Sequence, residues 1–217
     1  SGNQVPLDVL INKVRVKKDL ASQIGQQLEA DSTELLKLLN DNNFLKEYNL
    51  DKENALTLFL ANTYEFYWNT SAKEFVERMK KEYDRYWTDE RKRKAEKIGL
   101  TPTEVIILAS IVEKETSVDR EKPLVAGVYI NRLQKGMLLQ ADPTLIYAAQ
   151  DFGITRVLNS HKKIDSPYNT YKYKGLPPGP ICLPETSTIE AVLNHKDHDY
   201  LFFCANADMS GTHVFAK

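Results

Sequence analysis

From Val105 to Val112 the chain is apolar on every side of a helix, and two carboxylates, Glu113 and Glu115, follow almost at once. A helix apolar all round has to be buried, so the fold must be built around this segment and both glutamates must emerge from its core. Thr101-Pro102-Thr103-Glu104 supplies the start: a capping threonine, a proline at the first helical position and a glutamate three residues after the cap. At about 100° per residue, Glu113 and Glu115 point roughly 200° apart and cannot share one job. Glu115 continues the stripe of Leu108, Ile111 and Val112, whereas Glu113 shares a side with Ile106, Ala109 and Ser110. A carboxylic acid held against apolar neighbours has a raised pKa and can donate a proton near neutral pH. The alternative is two solvated residues at an ordinary helix end, where Lys114 suits the local dipole.

Around that helix the pattern is mixed. Val9 to Val16 alternates as a strand does, and Lys17 to Leu28 places Leu20, Ile24 and Leu28 on one helical face. Asp31-Ser32-Thr33-Glu34 caps a helix through Leu39, and Ser71 opens another with Phe75, Val76 and Met79 on its buried side. The charge run from Lys80 to Lys97 reads as the solvated face of a helix. Pro123 starts a further helix with Leu124, Val125, Val128 and Leu133 as its apolar stripe, ended by Gly136. Proline-bounded loops and short strands follow, including Leu201 to Cys204 and Thr212 to Phe215. The expected fold class is α+β, with a mixed accessory region over 1–98 and the glutamate-bearing domain over 99–217. Between Asn62 and Asn69, Tyr64, Phe66, Tyr67 and Trp68 form either core packing or a platform on which sugar rings stack.

Five motifs follow the glutamates in order: Val128-Tyr129-Ile130-Asn131-Arg132-Leu133, Gly136 to Tyr147, Ser166 to Tyr171, Gly175 to Ile181, and Gly211-Thr212-His213-Val214-Phe215. With Ile111 to Thr116 they resemble the YceG-like family, the endolytic murein transglycosylases known as MltG, strongly from Thr101 to Phe215 and weakly before it. The resemblance implies a bacterial enzyme anchored in the cytoplasmic membrane with its catalytic domain outside. It would cut the β-1,4 bond between N-acetylmuramyl and N-acetylglucosaminyl units inside nascent peptidoglycan strands, end their elongation, and leave 1,6-anhydro ends. No cofactor is needed. Peptidoglycan strands and cell-wall synthases are the implied partners, and an N-terminal membrane helix is implied upstream of Ser1-Gly2-Asn3-Gln4, which reads as a trimmed start. The chain also stops abruptly at Ala216-Lys217.

Ordinary glycosidases need two carboxylates, whereas here the muramyl C6 hydroxyl attacks its own C1, so one acid suffices. Glu115 is the expected catalytic residue, because Glu115-Thr116 resembles the Glu-Ser signature of other lytic transglycosylases and because its helical face is the apolar one; Glu113 is the reserve. Gln140, Asp142, Thr144, Tyr168, Asn169, Thr170 and His213 are the expected substrate-binding residues. Asp142-Pro143 also reads as a helix cap and Asn169-Thr170 as a turn, and Leu176 to Pro180 as a stiff loop walling the site.

Composition narrows the rivals. A formal net charge of -1 over 217 residues lacks the basic excess of a nucleic-acid binder. No apolar stretch approaches the roughly 20 residues that span a bilayer. Cys182 and Cys204 permit one disulfide at most, with free thiols the expectation. His195-x-x-His198, with Asp197 and Asp199, has no second cluster to complete a metal site, so no metal is expected. A cytoplasmic lyase using pyridoxal phosphate would need a lysine in an apolar pocket, and Lys114 is flanked by glutamates. A non-catalytic peptidoglycan-binding module would need a cleft but no protonated glutamate.

Overall fold

The computed structural model describes residues 5–206 and 211–217; the start Ser1-Gly2-Asn3-Gln4 lies outside them. The architecture is α+β, with helices and, among the described residues, two separate two-stranded antiparallel sheets. The chain forms two compact units, the first ending at Asp89 but reclaiming Cys182–Thr186, the second made of Glu90–Ile181 and Ser187–Lys217. No linear split of the sequence at 98 displays that excursion. Among the described residues no helix is long and apolar enough to cross a membrane.

In the first unit β1 (Pro6–Ile11) pairs antiparallel with β2 (Asn62–Tyr67), and Val9, Ile11, Tyr64 and Phe66 are buried. The strand stops at Ile11, short of the alternation that runs to Val16, because Lys13 turns into the left-handed region at φ 51°. Glutamine side chains replace the ladder there. Gln27 Oε1 accepts from Leu10 N at 2.9 Å and Gln23 Oε1 from Asn12 N at 3.2 Å, so the backbone leaves the sheet without orphaned groups. Both glutamines come from α1 (Lys17–Gly25) and its end, whose Leu20 and Ile24 are fully buried, with Leu28 beyond it. Two short helices follow, α2 (Ser32–Leu38) and α3 (Asn42–Lys46), capped by Asp31 and Asp41. Of the aromatic cluster, Tyr64 and Phe66 join the core, with Tyr64 Oη donating to Leu60 O at 3.0 Å, while Tyr67 and Trp68 are exposed.

The charge run does not form one helix. It is split between α4 (Ala72–Tyr86) and α5 (Asp89–Lys97), because Trp87 leaves helical geometry at ψ 69° and buries its ring against Tyr83 and Tyr86. Burying one large ring outweighs continuing a helix of exposed charges. The reclaimed segment closes the first unit, where Leu183 N donates to Val14 O at 2.8 Å and Glu185 bridges Ala61.

In the second unit α6 (Pro102–Glu115) is the central element, with every residue from Val105 to Val112 buried. It packs against α7 (Lys122–Gln134) and α8 (Asp142–Ala149). α9 (Thr186–Leu193) holds α5 through an Arg91–Glu190 ion pair at 2.6 Å. The hairpin of β3 (Phe202–Ala205) and β4 (His213–Ala216) completes the unit. The segment before it lies so close to α7 that a Cβ on Gly127 would meet His198 Nε2 and Lys196 O at 2.6 Å. His198 fastens that segment, with Nε2 3.0 Å from Leu124 O and Nδ1 accepting from Tyr200 N at 3.1 Å. Both ring nitrogens are thus engaged by backbone. Cys182 is buried in the first unit and Cys204 exposed in the second, both as thiols.

Candidate active site

The site is assembled at the end of α6. Thr101 Oγ1 accepts from Glu104 N at 3.3 Å and Glu104 Oε2 from Thr101 N at 2.8 Å, fixing where the helix begins. Thr116 turns extended and ends it, which leaves Glu115 at the floor of a cavity of about 240 Å³. α7 contributes Tyr129 and Arg132, one turn apart. The loop before α8 adds Gln140, α8 itself adds Asp142, and the hairpin supplies Phe203 and His213.

Burial dominates the chemistry of Glu115, pushing its carboxyl up to about 7. A hydrogen bond from Tyr129 Oη to Glu115 Oε1 opposes this, the Asp142 charge reinforces it, and His213 and Arg132 oppose it. A carboxyl balanced near 7 can both give and take a proton at neutral pH. Tyr129 is itself fully enclosed, so its hydroxyl is held far above its ordinary pKa by burial and by the neighbouring glutamate. Arg132 donates from Nε to Leu201 O at 2.6 Å and from a terminal nitrogen to Leu139 O at 2.7 Å, tying the hairpin and the α7–α8 loop to one helix. Gln140 sits at φ 52°, a left-handed conformation that non-glycine residues adopt at a cost.

Glu113 points elsewhere. It accepts from Lys122 Nζ at 3.3 Å and from the Thr188 hydroxyl, a buried brace between α6, α7 and α9. On the far wall Tyr171 Oη donates to Asp142 Oδ1 at 2.5 Å, and burial first, then this bond, hold the phenol far above its ordinary range. His213 is clamped by Glu121, which accepts from its backbone N at 2.9 Å and contacts Nδ1 at 2.8 Å. Burial works against the Glu121 charge, but the bonds to His213 outweigh it and keep the carboxyl below its usual range.

The residues expected to bind substrate therefore separate. Gln140, Asp142 and His213 line the cavity with Glu115. Thr144, Asn169 and Thr170 are buried and bonded to the frame: Asn169 Nδ2 donates to Ile164 O at 2.7 Å and Lys162 O at 3.1 Å, and its Oδ1 accepts from Tyr171 N at 3.0 Å. Thr170 Oγ1 accepts from Ala141 N at 3.0 Å and meets Thr144 Oγ1 at 2.8 Å. Tyr168 is buried with its ring 4.6 Å from that of Tyr147. The cap of α8 is Ala141, one residue before Asp142, which frees the Asp142 carboxylate for the cavity. Sequence reasoning singled out neither Tyr129, Arg132, Tyr171 nor Glu121, although the hydroxyl of a tyrosine on a buried helix face usually finds a hydrogen-bond partner. A larger cavity, about 570 Å³, lies in the first unit by Tyr67 and Arg78. Its Glu74 is committed to capping Ser71, whose backbone and side-chain bonds lower its pKa.

Fold and cavity together define a class: an α+β domain that presents one half-hidden carboxylic acid, steadied by a tyrosine, to a polar cavity. The chain belongs to the YceG-like family, whose sequence profile matches residues 1–217. It is similar to the endolytic murein transglycosylase of Bacillus subtilis (strain 168), 38% identical over 149 residues, which is 69% of this chain and 40% of that protein. It is also similar to the endolytic murein transglycosylase of Streptococcus pneumoniae serotype 2, 38% identical over 112 residues, 50% of this chain and 20% of that one. The chain thus spans well under half the length of these relatives. The crystal structure of a YceG-like protein from Listeria monocytogenes matches with a TM-score of 0.79 and 31% identity, covering 98% of this chain and 73% of that one.

Proposed function

We propose that the chain is the catalytic part of an endolytic lytic transglycosylase that cuts peptidoglycan strands to leave 1,6-anhydro-muramyl ends. The observation that carries the reading is Glu115, an acid lifted to about 7 by burial and held by Tyr129. Glu115 protonates the glycosidic oxygen leaving the muramyl C1. The C6 hydroxyl of the same sugar closes on C1 and returns its proton to Glu115, so atoms balance without water. The nucleophile is part of the substrate and acts at a high effective concentration. Glu113, occupied by Lys122 and Thr188, acts as a brace. Gln140, Asp142 and His213 contact the strand, while Thr144, Tyr168, Asn169 and Thr170 position the loops that carry them. The residues over 1–98 serve as an accessory region, the whole protein is held at the outer side of the cytoplasmic membrane by an upstream helix, and cell-wall synthases are its working neighbours. The relatives' names support the reaction; the cavity supports the residue.

Muropeptide mass spectrometry after incubation with purified strands tests the reading. Every new muramyl end should be a 1,6-anhydro end, matched by a free 4-hydroxyl on the departing N-acetylglucosaminyl unit, and free reducing muramyl ends in comparable amount would point to a water-activating second carboxylate instead.

The acid role fixes a pH dependence. Glu115 is protonated below about 7, so cleavage falls as pH rises through that value. Tyr129 favours the charged form, hence Tyr129→Phe should move the falling limb to higher pH while turnover drops about tenfold through lost positioning. A limb that stays in place, measured as kcat against pH, would separate Glu115 from the step.

A further inference from the structure

Two carboxylates face the same cavity, and each receives one tyrosine hydroxyl, Glu115 from Tyr129 and Asp142 from Tyr171. Their surroundings differ. Glu115 emerges from the apolar core, whereas Asp142 is exposed in the first turn of α8, where the helix dipole favours negative charge. Glu115 is thus the enclosed carboxyl of the pair, and Asp142 the one open to a ligand. Asp142 Oδ1 is taken by Tyr171, and Oδ2 has no partner among the described residues. An ionised carboxylate only accepts hydrogen bonds, so whatever fills that place must be a donor. A muramyl unit within a strand has few donors on its ring: O1 and O4 are glycosidic, O3 carries the lactyl ether, and only the C6 hydroxyl and the acetamido N–H remain. The C6 hydroxyl serves Glu115.

We infer that Asp142, steadied by Tyr171, receives the acetamido N–H of the muramyl unit being cut and holds negative charge beside C1. The inference rests on the glycan-cutting reading above and deepens it. It gives the second carboxylate a purpose other than activating water, and it makes binding depend on what the muramyl C2 nitrogen carries. As positive charge builds at C1, an anion fixed one group away stabilises it without rearrangement. The tyrosine restrains Asp142 from swinging toward a water.

The test measures binding, using the Glu115→Gln chain, which holds strands without cutting them. Two strand preparations are compared, one N-acetylated and one with the muramyl acetyl groups removed. The freed amine is a protonated ammonium at the same C2 nitrogen, and a charge-assisted bond to Asp142 is stronger than one from an amide. The deacetylated strand should bind about fivefold more tightly. Adding Asp142→Asn should erase that preference, and Tyr171→Phe should reduce it without erasing it. Equal affinity for the two strands, or a preference that survives Asp142→Asn, overturns the inference. Failure of the unaltered chain to leave anhydro ends on acetylated strands is a different result and overturns the functional reading instead.

Discussion

Glu115→Gln is expected to abolish strand cleavage, by about a thousandfold, while the chain stays folded and still binds strands. The amide matches the protonated carboxyl in shape and still accepts the Tyr129 hydroxyl, but it has no proton to give to the leaving oxygen and none to recover from the C6 hydroxyl. Glu113→Gln should lower stability slightly and cleavage only mildly, since its carboxylate braces Lys122 and Thr188. Product quantification by mass spectrometry, with circular dichroism on the same samples, checks both. Were the two effects reversed, the acid would be Glu113 and the cavity assignment wrong.

The second large effect is on folding. Asn169 is fully buried, and its amide satisfies two carbonyls and one backbone N–H. Asn169→Ala strands those groups, at a total of about 3 kcal/mol. For a chain of this size that is a fall of about 6–12 °C in melting temperature. Because one of the lost bonds holds Tyr171, and Tyr171 holds Asp142, cleavage should fall as well, chiefly in kcat. A residue that only touched the strand would instead raise KM and leave the melting temperature alone, so thermal denaturation beside initial-rate kinetics separates the two roles.

Some of the elements behind these effects were legible in the sequence and others were not. Helix α6 was legible from end to end, because its cap, its proline and its all-round apolar run are local signals that agree with one another. The opposed directions of Glu113 and Glu115 followed from helical geometry alone. The Lys80 to Lys97 run was less legible: its charges read as one solvated surface, and only the burial of Trp87 divides it into α4 and α5. Polar loop residues were harder still. Asp142, Asn169 and Thr170 carry similar hydrogen-bonding groups in one-dimensional order, yet Asp142 opens into the cavity while the other two are sealed beneath it.

The sequence by itself determined the buried acid-bearing helix, the α+β class and the order of the motifs around it, because periodicity and capping act over a few neighbouring residues. Tertiary structure decided what the acid meets. Tyr129 lies 14 residues from Glu115, Tyr171 29 residues from Asp142 and His213 92 residues from Glu121, and only packing brings such partners together. The height of the Glu115 pKa is likewise a property of everything packed around one carboxyl: the water excluded, one hydroxyl donated, and the charges of Asp142, His213 and Arg132. No local pattern encodes that sum.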